Sequence, residues 1–209
     1  NSSQDNLSGY KAALMGSQNI AKMVPMMMTS AGTVRPAKFI IQGAAVAGLQ
    51  AIATAKRLGA AVQAIDVRLA AKQDTESLGA KFIDVPGWKA AESSSGHASL
   101  FTDKGLQEAF DNALMDAVKD ADVVITTARL FGANAPKLFF GKDNNDKMTS
   151  EMKEGSVIVD MNTDTGGNIV GSKDGEIIEK DGVTIVGIPM LCRTVPNTAS
   201  MLYSNNVTN

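Results

Sequence analysis

The sequence predicts an α/β fold, a doubly wound parallel sheet with flanking helices, and three observations predict it. Short apolar runs such as Phe39-Ile40-Ile41 and Val123-Val124-Ile125 are continuous and do not alternate, as in strands buried on both faces. Between such runs lie stretches of helical spacing, with Leu106, Phe110, Leu114 and Val118 on one face of the clearest. Turn-forming glycines and prolines punctuate the changes of period.

In chain order, Asp5 or Asn6 is placed to cap a helix carrying Leu7, Tyr10, Leu14 and Ala21 on one side, and Pro25 ends it. Because Asn1 stands where an initiator Met is absent, residues 1–35 read as a linking helix and the remnant of a truncated N-terminal domain. Met26-Met27-Met28 reads as adaptable filler of a core or an interface. Gly32 and Pro36 then turn the chain into a first strand, and residues 36–190 form the main domain. A helix is expected over about 70–78, stopped by Gly79, and a third strand at Phe82-Ile83. Residues 86–96, rich in serine, read as a mobile polar surface loop able to close over a ligand. A helix over 104–119 leads to a fourth strand over 121–127, and residues 141–147 read as a hydrophilic insertion. A fifth strand over 156–160, a hairpin around Ile177 and Val183, and a sixth strand over 183–188 follow. Residues 191–209 pack back, with 198–207 helical.

The most informative block is residues 38–68: strand, Gly43-Ala44-Ala45-Val46-Ala47-Gly48, an alanine-rich helix, a second strand, and Asp66. This order is the mechanical requirement of a Rossmann-type dinucleotide-binding unit. The first glycine turns sharply off the strand, the second lets backbone approach a diphosphate, and the third lets the helix lie close. The helix N-terminus then receives the phosphates on bare N–H groups. Asp66, eighteen residues after Gly48, ends the second strand, where its carboxylate accepts ribose hydroxyls and repels a 2′-phosphate. The expected cofactor is therefore NAD(H), not NADP(H). Ala45 occupies the second glycine position, and its methyl narrows the phosphate approach. The alternative is that Gly43 and Gly48 serve helix–sheet packing alone.

Composition bounds the rest. With 44% hydrophobic and 20% charged residues the 209-residue chain is ordinary for a globular protein, and no apolar run is long enough to cross a bilayer. A net charge of −2 and the lack of a basic stripe argue against nucleic acid as a partner. One cysteine and one histidine leave no set of ligands for a structural zinc site. Cys192 reads as an inert buried thiol in a reducing compartment.

Met26-Met27-Met28-Thr29-Ser30-Ala31-Gly32-Thr33-Val34, the turn and helix from Gly43 to Gly59, and Asp66-Val67-Arg68 together resemble the alpha subunit of the proton-translocating NAD(P) transhydrogenases. The likeness continues through Glu76-Ser77-Leu78-Gly79, Ile125-Thr126-Thr127-Ala128, Gly155 to Asp160, Gly166-Gly167-Asn168 and Leu202 to Asn206, nearly the whole chain. The resemblance implies a peripheral NAD(H)-binding component, itself soluble and a homodimer. It would lie on the cytoplasmic face of a bacterial inner membrane or the matrix face of the mitochondrial one. Its implied partners are an NADP(H)-binding component and a membrane-embedded proton-channel component. Carried over by position, the NAD contacts are the turn residues Gly43, Ala45, Val46 and Gly48, then Asp66, Val67 and Arg68 on the ribose, Gly96 in the mobile loop, and Arg129. Four departures stand out: Ala45 for glycine, His97 for a loop tyrosine, Arg129 for an apolar residue, and Leu191-Cys192-Arg193 for Pro-Ser-Arg.

No catalytic side chain is assigned. Hydride transfer between two nicotinamides moves no O–H or N–H proton, so proximity and orientation carry the catalysis. His97 reads either as an acid–base group or as a solvated loop residue, and Asp164 either as a nicotinamide-pocket carboxylate or as a turn former. Arg68 has a surface ion pair as its alternative. Two other functions compete: an alanine-dehydrogenase-like amino-acid dehydrogenase, which also carries an acid before Gly-Gly, and a non-catalytic nucleotide-binding or assembly module.

Overall fold

The computed structural model describes residues 2–88, 103–130 and 132–208. In chain order, α1 (Ser2–Asn19) precedes a small antiparallel hairpin of β1 (Met27–Thr29) and β2 (Gly32–Val34). The first βαβ unit is β3 (Lys38–Gln42), α2 (Val46–Arg57) and β4 (Ala61–Ile65), followed by α3 (Ala71–Ser77) and β5 (Lys81–Phe82). Then come α4 (Lys104–Lys119), β6 (Val123–Thr126), α5 (Lys142–Glu151), β7 (Val157–Asp160), β8 (Glu176–Lys180), β9 (Val183–Gly187) and α6 (Pro196–Thr208). The sheet order is β5-β4-β3-β6-β7-β9-β8, with every pair parallel except the antiparallel β8–β9 edge. This is the doubly wound arrangement the alternating pattern predicts.

Phe39, Ile40 and Ile41 on β3, Val123, Val124 and Ile125 on β6, and Val157, Ile158 and Val159 on β7 are all 0% exposed. Each such side chain contributes on the order of 1.5–3 kcal/mol by leaving water, which makes the three central strands the anchor of the domain. From β3 the chain winds outward through β4 to β5. It then returns to the other side of β3 as β6, so a crevice opens between the carboxyl ends of β3 and β6.

Several expectations need correcting. The buried face of α1 is Ser8, Gly9, Ala12, Ala13 and Gly16; Leu7 and Leu14 are only partly buried, Tyr10 is exposed and Ala21 lies beyond the helix. The cause is close approach: a Cβ on Gly9 would stand 2.0 Å from the Ala47 carbonyl oxygen of α2, and one on Gly16 2.6 Å from Val123 Cγ1. A helix packed that tightly buries its smallest side chains, so the apolar stripe misleads. Met26, Met27 and Met28 do not fill the core; they are 59%, 37% and 74% exposed on and beside the hairpin.

Residues 141–147 are not a loose insertion, because they open α5. Buried Asp111 accepts from the Phe140 and Gly141 N–H groups at 2.8 and 2.7 Å and from Asn144 Nδ2 at 3.1 Å. Asn145 donates to the Phe139 carbonyl at 2.8 Å, so the polar residues here are internal anchors. The serine-rich segment expected to be a polar loop starts with Trp88 buried and stacked on Phe82, ring centroids 5.9 Å apart. The remainder of it, with Gly96 and His97, lies outside the described residues.

Candidate functional site

The glycine turn begins where β3 ends. Gly43 has φ +91°, open to glycine at no steric cost, and its N–H donates to the Ile65 carbonyl at 2.9 Å. The Thr127 hydroxyl, at the end of β6, donates to the Gly43 carbonyl at 2.9 Å. A Cβ on Gly43 would meet that hydroxyl oxygen at 2.5 Å. A Cβ on Gly48 would stand 1.8 Å from the Gly43 carbonyl oxygen, so the third glycine is what folds α2 back over the turn. Ala45 is the N-cap of α2, extended at φ −85° and ψ −166°, with no side-chain cap. It and Val46 are exposed, leaving the positive end of the helix dipole facing the crevice without a side chain over it.

Asp66 stands directly beside this turn and is 5% exposed. Its Oδ2 accepts from the Ala44 N–H at 2.7 Å and from Arg68 Nη2 at 3.0 Å; its Oδ1 accepts from the Arg68 N–H at 2.8 Å and Arg68 Nε at 3.0 Å. The hydrogen bond to Asp66 raises the Arg68 pKa above its ordinary value, against the opposing effect of burial. Arg68 is therefore held against Asp66 as a two-pronged ion pair on the crevice rim. Val67 lies between them and lines the same crevice.

The opposite wall is built by the segments after β6 and β7. Arg129 Nη2 pairs with Asp164 Oδ2 at 2.7 Å, which draws Asp164 toward the crevice from its one-turn helix. Asn168, fully buried, donates to the carbonyls of Ala128 at 2.9 Å and Pro136 at 2.6 Å, and accepts from Asn162 at 2.8 Å. Asp160, also fully buried, accepts from the N–H groups of Asn162 and Ile169 and from Ser172. Lys137 Nζ donates to the carbonyls of Gly166 and Gly167 at 2.8 and 2.9 Å. Asp160 and Asn168 thus set the shape of the wall through their hydrogen bonds to neighbouring backbone.

Thr127, Asn162 and Lys137 are not among the sequence-predicted site residues. The signal for the first is its place at a strand's carboxyl end, and nothing in the spacing marks the other two. Cys192 is partly exposed on the crevice wall and not buried, its N–H bonded to Ser8 Oγ at 3.1 Å.

Gly43, Ala45, Val46, Asp66, Val67, Arg68 and Arg129 line one crevice of about 1060 Å³. Such a crevice, with an open helix N-terminus on one side and a buried carboxylate on the next strand, defines the protein as a doubly wound domain of the nucleotide-binding class. The chain belongs to the family described as "Alanine dehydrogenase/PNT, C-terminal domain", whose profile matches residues 12–209. Among its relatives, an NAD(P) transhydrogenase subunit alpha from Rickettsia prowazekii is 46% identical over 100% of this chain and 53% of its own length. The corresponding alpha subunit from Rhodospirillum rubrum is 45% identical over the same shares. The solved transhydrogenase from Sinorhizobium meliloti superposes with a TM-score of 0.83 at 42% identity, covering 99% of this chain and 54% of that one. An L-alanine dehydrogenase structure matches with a TM-score of 0.74 at 23% identity over 98% of this chain and 51% of that one, which shows the shared fold. This chain spans about half the length of the curated relatives it matches.

Proposed function

We propose that this chain is the NAD(H)-binding component of a proton-translocating NAD(P) transhydrogenase, passing hydride to NADP⁺ held on a separate component. The observation that carries the reading is the placement of Asp66 against the glycine turn, its carboxylate 2.7 Å from the Ala44 N–H. One bound nucleotide thus meets a helix dipole and a hydroxyl acceptor together. NADH, when bound, supplies the hydride; the residues of this chain bind and orient. Gly43, Ala45, Val46 and Gly48 shape the turn that receives the diphosphate, with the N–H groups opening α2 as donors. Asp66, with Val67 and Arg68 around it, takes the adenosine ribose hydroxyls, and its negative charge disfavours a 2′-phosphate. Arg129 on the far wall, and Gly96, complete the contacts. No proton moves on oxygen or nitrogen in hydride transfer, so no acid or base side chain is required.

The same reading assigns residues 1–35 to a link with a further domain, 36–190 to the NAD(H)-binding domain and 191–209 to a helix packing back on it. Among the described residues no helix is long and apolar enough to cross a membrane. In this proposal the chain sits on the face of a membrane-embedded proton-channel component, beside the NADP(H)-binding component. The exposed methionines of the β1–β2 hairpin support a homodimer.

Titration with both nucleotides tests the assignment: NADH binds and NADPH binds at least tenfold more weakly, whereas preferential NADPH binding overturns it. An amino-acid dehydrogenase is the competing reading, and NAD⁺ reduction dependent on L-alanine by this chain alone would establish it.

A further inference from the structure

Gln42 is the last residue of β3, immediately before the glycine turn, and lines the crevice while being only 7% exposed. Its Oε1 has no hydrogen-bond partner among the described residues. Directly across the ladder, its register partner Thr126 on β6 is 0% exposed with Oγ1 likewise unpartnered. Residues opposite one another in a ladder project to the same face, so two orphan oxygens lie side by side where the crevice opens. A buried acceptor without a donor is costly in the free protein. The cost is tolerated where a ligand later supplies the donor.

We infer that Gln42 is a ligand-recognition residue: its side-chain carbonyl accepts a hydrogen bond from a sugar hydroxyl of the bound dinucleotide. The inference rests on the nucleotide reading above. Phosphate oxygens carry no proton to give at neutral pH, and Asp66 already serves the acidic side of the site. The hydroxyls of the remaining sugar are the donors that match an uncharged acceptor at the base of the crevice. Thr126, which does not line the crevice, shares the orphan character but not the access.

The test is Gln42→Leu, read by calorimetric NADH titration and by thermal unfolding without nucleotide. The expected result is an affinity loss of about tenfold, the worth of one neutral hydrogen bond. The Tm without nucleotide rises by about 2–4 °C because the orphan is gone. Thr126→Val is the control, with a similar Tm rise and unchanged NADH affinity. Unchanged affinity in Gln42→Leu together with a lowered Tm overturns the inference, because the amide then serves only a structural water. Unchanged affinity with a raised Tm overturns it as well. Wild-type protein that binds no NADH defeats the nucleotide reading itself, an outcome distinct from these.

Discussion

The Ala44 N–H donates to Asp66 Oδ2 at 2.7 Å, joining the first turn after β3 to the acid after β4 across 22 residues of chain. The two halves of the candidate site are therefore one hydrogen-bonded unit. Arg68 completes it by donating to both carboxylate oxygens.

Asp66→Ala removes the acceptor of four hydrogen bonds and leaves the buried Ala44 N–H without a partner. The expected cost is roughly 1–3 kcal/mol of stability. A loss of NADH affinity of about 100-fold accompanies it, since two charge-assisted hydroxyl contacts disappear. Asp66→Asn separates the two effects, retaining more stability while still losing affinity. Denaturant unfolding and NADH titration on the pair check this, and full affinity in Asp66→Asn removes the acid from the site.

Ala45→Gly and Gly48→Ala are expected to move in opposite directions. Ala45 is exposed and caps α2 without a side chain, and glycine is the better cap, so stability holds or gains a few tenths of a kcal/mol. Removing the methyl opens the phosphate approach and is expected to tighten NADH binding about threefold to tenfold, worth roughly 1 kcal/mol. In Gly48→Ala the new Cβ meets a backbone oxygen at 1.8 Å, and a clash with main chain has no side chain to move aside. Destabilisation of about 3 kcal/mol or more follows, with binding lost as the turn shifts. Weaker NADH binding in Ala45→Gly than in wild type contradicts this account of the turn.

Asp122 predicts an acid dependence. Burial pushes its pKa up, but hydrogen bonds from Lys153 Nζ at 2.8 Å, the Lys38 N–H at 2.7 Å and Lys22 Nζ at 3.1 Å outweigh burial and hold it below the usual carboxylate range. A carboxylate with a depressed folded pKa contributes stability that is complete above its unfolded pKa of about 3.9 and is lost as pH falls through the folded value. Wild-type Tm is therefore expected to drop as pH falls from about 5 to 3. Asp122→Asn is less stable at pH 7 by about 1–2 kcal/mol, and its curve runs flatter over the same acid range. Parallel acid limbs for the two proteins rule Asp122 out as a contributor.

The hairpin methionines test the proposed dimer. Met28, 74% exposed, stands in β1 with Met26 beside it at 59%. Met28→Glu places an uncompensated charge where an apolar interface is proposed. Light scattering is expected to show the mass halving, with the monomer's helix and strand content retained. A dimer that persists in this variant moves the interface elsewhere.

The sequence by itself determined the order of the βαβ unit, the glycine positions, the terminal acid and the parallel sheet. Each of these depends on local chemistry: continuous β-branched runs, residues able to take φ above zero, and a fixed distance along the chain from Gly48 to Asp66. The tertiary structure decided everything that depends on what approaches from far away in sequence. It selected the small-residue face of α1 over its leucines because α2 lies too close for larger side chains. It turned the polar start of α5 into an anchored helix because Asp111, thirty residues earlier, supplies buried acceptors. It also tied Asp66 to Ala44 and left Gln42 unpaired, since hydrogen-bond satisfaction depends on the neighbours that folding brings together and no local pattern records them.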